Sequence, residues 1–139
     1  MQDKIATRKK AFINRKNKYF EVTDNFFKPL VKLLNIKNKK KNFSLSLYYP
    51  SNYEVNILKL FGLIEIKKMK TLLPVIKSKK QMKFVKWQYL DPLKVNYFGM
   101  LDPCLQTKPL IPDTMLVPLL AFDSKNNRLG YGKGFYDKF

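Results

Sequence analysis

The sequence predicts an α/β layer fold with a mainly parallel sheet, and three observations lead there. Segments with helical apolar spacing alternate with short apolar or alternating runs that end at prolines and glycines. Hydrophobic residues make up 45% and aromatics 14% of the 139 residues, enough to bury a core. No internal repeat and no interior linker divides the chain, so a single domain over residues 1–139 is expected.

The elements follow in order. Residues 3–20 read as a basic helix with a modest apolar stripe of Ile5, Phe12 and Phe20. Thr23 or Asp24 can cap a second helix through about Asn35, with Phe27, Leu30, Val31 and Leu34 on its buried face. The lysine-rich stretch 37–41 is read as a turn. "FSLSLYY" (Phe43 to Tyr49) is a strand that Pro50 ends. A third helix is expected from Tyr53 to about Leu63. "TLLPVI" (Thr71 to Ile76) and "MKFVKW" (Met82 to Trp87) are strands, the second at an edge, and residues 88–113 read as irregular and proline-rich. "TMLVPLLAFD" (Thr114 to Asp123) is the most hydrophobic strand candidate.

Composition narrows the chemistry. The net charge of +18 suggests attraction to polyanions. However, the basic residues are 25 lysines and only three arginines, spread along the chain beside eleven asparagines. Only Lys37 to Asn42 is a dense run, so the charge reads as a solvated surface rather than a nucleic-acid face. No apolar run approaches the roughly 20 residues of a membrane span, and "MQDKIATRKK" lacks the apolar centre of a secretory signal. The lone Cys104 cannot form an internal disulfide, which fits a reducing cytoplasm. There is no histidine. Histidine-based triads and metal sites are therefore excluded, and one cysteine cannot make a thiolate zinc site. Lysine, arginine, carboxylates and backbone N–H groups must carry any reaction.

The densest motif lies at the end. Three of the five glycines fall within five positions of "NNRLGYGKGFYDKF" (Asn126 to Phe139). Glycine permits positive φ and close backbone approach, and successive N–H groups after a buried strand form an anion-binding concavity. A helix start following the loop would reinforce it. Arg128 and Lys133 add positive charge, and Asp137 could hold a metal beside phosphates. The endings of the P-loop and G-x-G-x-x-G patterns are both missing. A glycine-rich hairpin turn is the plainer reading, but one of only three arginines stands here. Another, Arg8, lies four residues after Lys4 on the same helical face.

The string "LVPLLAFDSKNNRLGYGKGFYDKF" resembles the 5-formyltetrahydrofolate cyclo-ligase (5,10-methenyltetrahydrofolate synthetase) family, with its R-L-G-x-G-x-G-[YF]-Y-D signature. Lys4 and Arg8 are similar to the family's N-terminal K-x-x-x-R, and "YYPSNYEVN" (Tyr48 to Asn56) to its Y-x-P-x-x-x-E-[VI] segment. "LPV" (Leu73 to Val75), "MKF" (Met82 to Phe84) and "FGMLDP" (Phe98 to Pro103) match weaker landmarks in the right order. Asn126 stands where glycine is common, a mild change because asparagine tolerates the left-handed conformation. Family members usually continue for several dozen residues past the signature. A fragment or shortened homologue is therefore expected, one that lacks C-terminal elements and a second, acidic magnesium ligand.

The resemblance implies a three-layer α/β/α domain and an ATP- and Mg²⁺-dependent cyclisation of 5-formyltetrahydrofolate to 5,10-methenyltetrahydrofolate. Arg128 and Lys133 would be catalytic. Lys4, Arg8, Arg128, Leu129, Gly130, Tyr131, Gly132, Lys133, Gly134, Phe135 and Tyr136 would bind ATP. Tyr49, Glu54 and Tyr131 would contact the folate, and Asp137 would bind Mg²⁺. Trp87, Met82 and Phe84 look like core or pocket wall, and Cys104 has no assigned role. The expected protein is a cytoplasmic monomer that uses small-molecule substrates. A basic nucleic-acid binder and a non-catalytic ATP- or folate-binding family member remain as alternatives.

Overall fold

The computed structural model describes residues 2–37, 42–63, 67–78, 81–104 and 107–139. Helix α1 spans Gln2–Asn17, and α2 spans Lys28–Lys37. The strands are β1 (Ser44–Ser46), β2 (Lys70–Ser78), β3 (Gln81–Lys86), β4 (Leu93–Val95), β5 (Leu101–Pro103), β6 (Thr114–Met115), β7 (Ala121–Phe122) and β8 (Arg128–Leu129).

The central sheet runs β3-β2-β1-β6. β1 is parallel to both β2 and β6, and β3 returns antiparallel along β2 at the edge. The fold is thus α/β with a mainly parallel central sheet, as expected, and "MKFVKW" is indeed an edge strand. A strand flanked on both sides should be apolar or satisfied at every position. Phe43 to Leu47 are all buried. The serines within β1 are hydrogen-bonded: the Ser44 N–H and Oγ–H both donate to the Asp113 carboxylate at 2.9 Å, and Ser46 Oγ–H donates to the Leu47 carbonyl. Pro74 is tolerated in β2 because β1 pairs only with residues 70–72. Its missing N–H therefore falls beyond that ladder.

Alternation then sorts side chains onto two faces. Leu45, Leu47 and Leu73 join Phe27, Val31 and Leu34 around α2, together with Leu60, Phe61 and Trp87. Leu72, Met82 and Phe84 point to the other face, where Phe135 and Tyr136 of the C-terminal loop pack against them. Met82, Phe84 and Trp87 are core residues.

Several elements differ from the sequence reading. The second helix opens with a 3-10 turn, Asp24–Phe27, and Thr23 makes no side-chain cap bond, so α2 proper starts at Lys28 with Pro29 in its first turn. The third helix shrinks to a 3-10 segment, Ile57–Gly62, capped by the Asn56 side chain, which accepts from Leu58 N–H. Ahead of it Asn52 and Tyr53 adopt positive φ, which no helix allows. The apolar run 114–123 is not one strand. It splits into β6 and β7, with Pro118 in the unpaired stretch between them. The supposedly irregular segment 88–113 contains the antiparallel β4–β5 hairpin. The expected turn at 37–41 lies outside the described residues, apart from Lys37, which ends α2.

Candidate active site

The glycine loop is prepared by a hairpin. β7 and β8 pair antiparallel, and the turn between them is built on Asp123. The Asp123 carboxylate accepts N–H groups from Lys125 and Asn127 and the Asn127 side chain. Those bonds to its charged form hold its pKa below the usual value. Asn126 takes φ +61°, the left-handed conformation expected of the residue that replaces glycine there. β8 then delivers Arg128 and Leu129 to the loop.

Within the loop, Gly132 has φ +90° and Gly134 has φ +66°. Gly132 also faces a neighbour: a Cβ at this position would lie 3.1 Å from Arg8 Cζ. Arg8 Nε–H donates to the Gly130 carbonyl at 3.0 Å. The first helix and the last loop, 122 residues apart, are thereby joined at the backbone. Lys4 lies exposed one turn before Arg8, and Lys133 is exposed on the loop. Residues 135–137 form a turn. Backbone N–H groups of the loop and the cations around it stand together here.

Arg128 is half-buried. It donates to the Pro118 carbonyl at 3.3 Å, lies 6.0 Å from the Tyr136 ring centre and forms an ion pair with Asp137. Phe135 sits edge-on to Phe98, and Tyr136 tilts against Phe84, so both rings anchor the loop to the second face of the sheet. Asp137 is largely exposed beyond its ion pair. Among the described residues no cluster of three acidic or sulfur ligands exists.

Glu54 is buried, only 8% exposed. One carboxylate oxygen accepts Ser51 N–H at 2.8 Å; the other accepts the Tyr131 hydroxyl at 2.7 Å. No lysine or arginine forms an ion pair with it among the described residues. Three tyrosines surround this carboxylate electrostatically. Burial, then the nearby Glu54 charge, pushes Tyr48 up to about 12. Burial and Glu54 also raise Tyr131 and Tyr136 above the ordinary tyrosine value. Tyr49, chosen from sequence, instead lies half-exposed with its edge toward Trp87. Tyr48 is close enough to Glu54 to feel its charge, and Tyr49 packs beside Trp87.

The sequence reading also missed Arg15. Its guanidinium donates to the Tyr131 hydroxyl at 2.7 Å and to the Leu119 carbonyl. All three arginines of the chain therefore meet at the glycine loop. The signal was available: Arg15 follows Arg8 by seven residues, two turns along the same helical face. α1 and the segment just after it are braced against the Glu54 loop as well, through Phe12 and Tyr19, whose rings both meet Tyr53 edge-on.

The chain is similar to known proteins along most of its length. Residues 3–139 match the 5-formyltetrahydrofolate cyclo-ligase family. A 5-formyltetrahydrofolate cyclo-ligase of Haemophilus influenzae is 32% identical over 111 residues, covering 76% of this chain and 59% of its own length. The Mycoplasma genitalium protein of the same name is 31% identical over 97 residues, 69% of this chain and 50% of the relative. The chain thus spans between half and three-fifths of these relatives. Among solved structures, a 5,10-methenyltetrahydrofolate synthetase from Mycoplasma pneumoniae superposes with TM-score 0.69 and 26% identity, over 99% of this chain and 76% of that one. The Aquifex aeolicus synthetase gives TM-score 0.66 and 28% identity, over 97% and 70% respectively.

Proposed function

This chain belongs to the 5-formyltetrahydrofolate cyclo-ligase family, and from that premise we propose that it closes 5-formyltetrahydrofolate to 5,10-methenyltetrahydrofolate at the expense of ATP, as a monomer in the cytoplasm. The observation that carries the proposal is the juxtaposition at Tyr131. A glycine loop suited to phosphates and a buried carboxylate suited to ring N–H groups share one hydrogen bond. No helix among the described residues is long and apolar enough to cross a membrane.

In this reading the formyl oxygen attacks the γ-phosphorus, a P–O bond forms, and ADP leaves as the bridging bond breaks. N10 then adds to the activated carbon and loses its proton. Expulsion of phosphate leaves the methenyl bridge between N5 and N10. The first step has no proton to remove, so a chain without histidine loses nothing by lacking that base. Positioning and charge stabilisation supply the catalysis.

The chain's own residues are assigned accordingly. The N–H groups of Gly130 to Gly134 meet phosphate oxygens. Lys4, Arg8, Arg128 and Lys133 offset their charge, with Arg128 and Lys133 nearest the transferred group. Leu129, Phe135 and Tyr136 shape and anchor the loop. Glu54 accepts pterin N–H groups beside Tyr131, and Tyr49 borders the folate. Mg²⁺ bound with nucleotides takes one or two carboxylates and several phosphate oxygens and waters. The single carboxylate of Asp137, exposed at the loop, fits that donor set once its bond to Arg128 yields. The ion would neutralise phosphate charge when bound.

The test follows methenyltetrahydrofolate by its near-UV absorbance, with 5-formyltetrahydrofolate and Mg²⁺, with and without ATP. ATP-dependent product that is lost in Arg128→Ala supports the reading. A folded chain that binds both ligands without forming product would make it a non-catalytic family member.

A further inference from the structure

The Tyr131 hydroxyl occupies an unusual position. It donates its one proton to Glu54 Oε1 and accepts from Arg15, both at 2.7 Å. Its ring belongs to the glycine loop, between Gly130 and Gly132, while Glu54 belongs to the loop after β1. Arg15 is fixed from the other side by the Leu119 carbonyl, just before the hairpin. Both ends of this chain of bonds therefore reach α1: Arg8 and Arg15 hold the glycine loop, and Phe12 packs against Tyr53, the neighbour of Glu54. The loop cannot change conformation without moving the group that orients the Glu54 carboxylate.

We propose that Arg15 and Tyr131 are positioning residues that couple the two ligand sites, so that nucleotide bound in the glycine loop tightens folate binding at Glu54, and the reverse. The proposal rests on the functional reading above. Its physical basis is direct. A carboxylate held at both oxygens, by Ser51 on one and Tyr131 on the other, is pre-set for a planar pair of ring N–H donors. When Tyr131 is released, one oxygen loses its partner and the carboxylate must be re-oriented by the ligand. Nucleotide that orders Gly130 to Gly134 holds Tyr131 in place and removes that cost, and linkage makes the effect reciprocal. The neighbouring tyrosines do not substitute for it: Tyr48 donates its hydroxyl to the Val55 carbonyl, and Tyr136 is packed against Phe84.

Calorimetric titration of 5-formyltetrahydrofolate, with and without saturating Mg²⁺ and an ATP analogue unable to transfer its γ-phosphate, reads this coupling as a ratio of two Kd values. In the wild-type chain the folate should bind about tenfold more tightly when nucleotide is present. Tyr131→Phe keeps the ring and removes the hydroxyl, and Arg15→Met keeps the stem and removes the donors. Each should bring the ratio to about twofold or less. Arg15→Lys, which restores a donor, should recover part of it. A purely structural role would weaken binding in both titrations equally and leave the ratio unchanged. Ligands that bind with a wild-type ratio near one, or a ratio that survives in both variants, would overturn the coupling while leaving the functional reading intact. Failure of the folded wild-type chain to bind either ligand would overturn both.

Discussion

The centre of the sheet and the C-terminal glycine loop are held by different forces. Around β1 and β2 the side chains of Leu45, Leu47 and Leu72 are wholly removed from water, and the backbone is tied into a continuous ladder. The strands that carry the loop, β7 and β8, pair over only two residues each. The loop is held instead by arginine bonds from α1, by an ion pair, and by two aromatic anchors. Packing of the first kind is present with or without a ligand. Polar contacts of the second kind are each modest in net worth, about 0.5–1.5 kcal/mol for a typical hydrogen bond, and can be exchanged for ligand contacts. The sheet centre gives the molecule its stability, and the loop can give it a ligand response.

The largest effect that sharpens this contrast lies in the sheet. Leu45→Ala should destabilise the fold by about 2–5 kcal/mol, through lost transfer energy plus an unfilled cavity. Denaturant unfolding monitored by Trp87 fluorescence would measure it. A loss under about 1 kcal/mol would show that the site collapses around the deletion and that the centre is not tightly packed. Nucleotide should raise the stability of this variant and of the wild type equally, since Leu45 lies in the cluster around α2 rather than at the loop.

Gly132→Ala separates the two regions in the opposite sense. Its φ of +90° is strained for any side chain, at a cost of about 1–3 kcal/mol, and the new Cβ would meet Arg8 at 3.1 Å. Arg8 is flexible and can withdraw, but only by giving up its bond to the Gly130 carbonyl. Stability should therefore fall less than in Leu45→Ala, while nucleotide affinity falls tenfold or more, on the order of 1.4 kcal/mol. Unchanged nucleotide binding by calorimetry would mean that the phosphates do not meet this backbone.

The same division explains what the sequence made legible. β1, β2 and β3 were readable because burial writes a local signature: a short apolar run, an alternating run and a bounding proline. The glycine loop was readable for a related reason, since φ above zero selects glycine and, at position 126, asparagine. Contacts between distant segments leave no such local mark. Nothing around Tyr131 in sequence indicates that Arg15 and Glu54 will meet its hydroxyl from 116 and 77 residues away. The third helix was overestimated because a short 3-10 segment buries Ile57, Leu60 and Phe61 as well as a helix would, once Asn52 and Tyr53 turn the chain with positive φ.

The smallest effect at neutral pH, and the most specific to the site, concerns the tyrosines around Glu54. Tyr48→Phe should cost only about 1 kcal/mol near pH 7, the worth of its 3.2 Å bond to the Val55 carbonyl. The difference emerges in alkali. In the unfolded chain Tyr48 loses its proton near the ordinary value of 10, whereas burial and Glu54 delay this to about 12 in the fold. Below pH 10 the two states carry the same proton and the contribution is fully present. Between pH 10 and about 12 the native state holds a proton that the unfolded state has released, so stability falls as pH rises. The absolute pH profile sums every titrating group of the chain, but those contributions are common to wild type and variant. The informative quantity is the wild-type stability minus that of Tyr48→Phe, which should be constant up to pH 10 and then decline. A difference that stays flat to pH 12 would mean that Tyr48 is no harder to ionise in the fold than in the unfolded chain, so that neither burial nor Glu54 perturbs it. The same subtraction applied to Tyr131→Phe extends the test to the hydroxyl that joins the two ligand sites, since burial and the Glu54 bond raise that phenol as well.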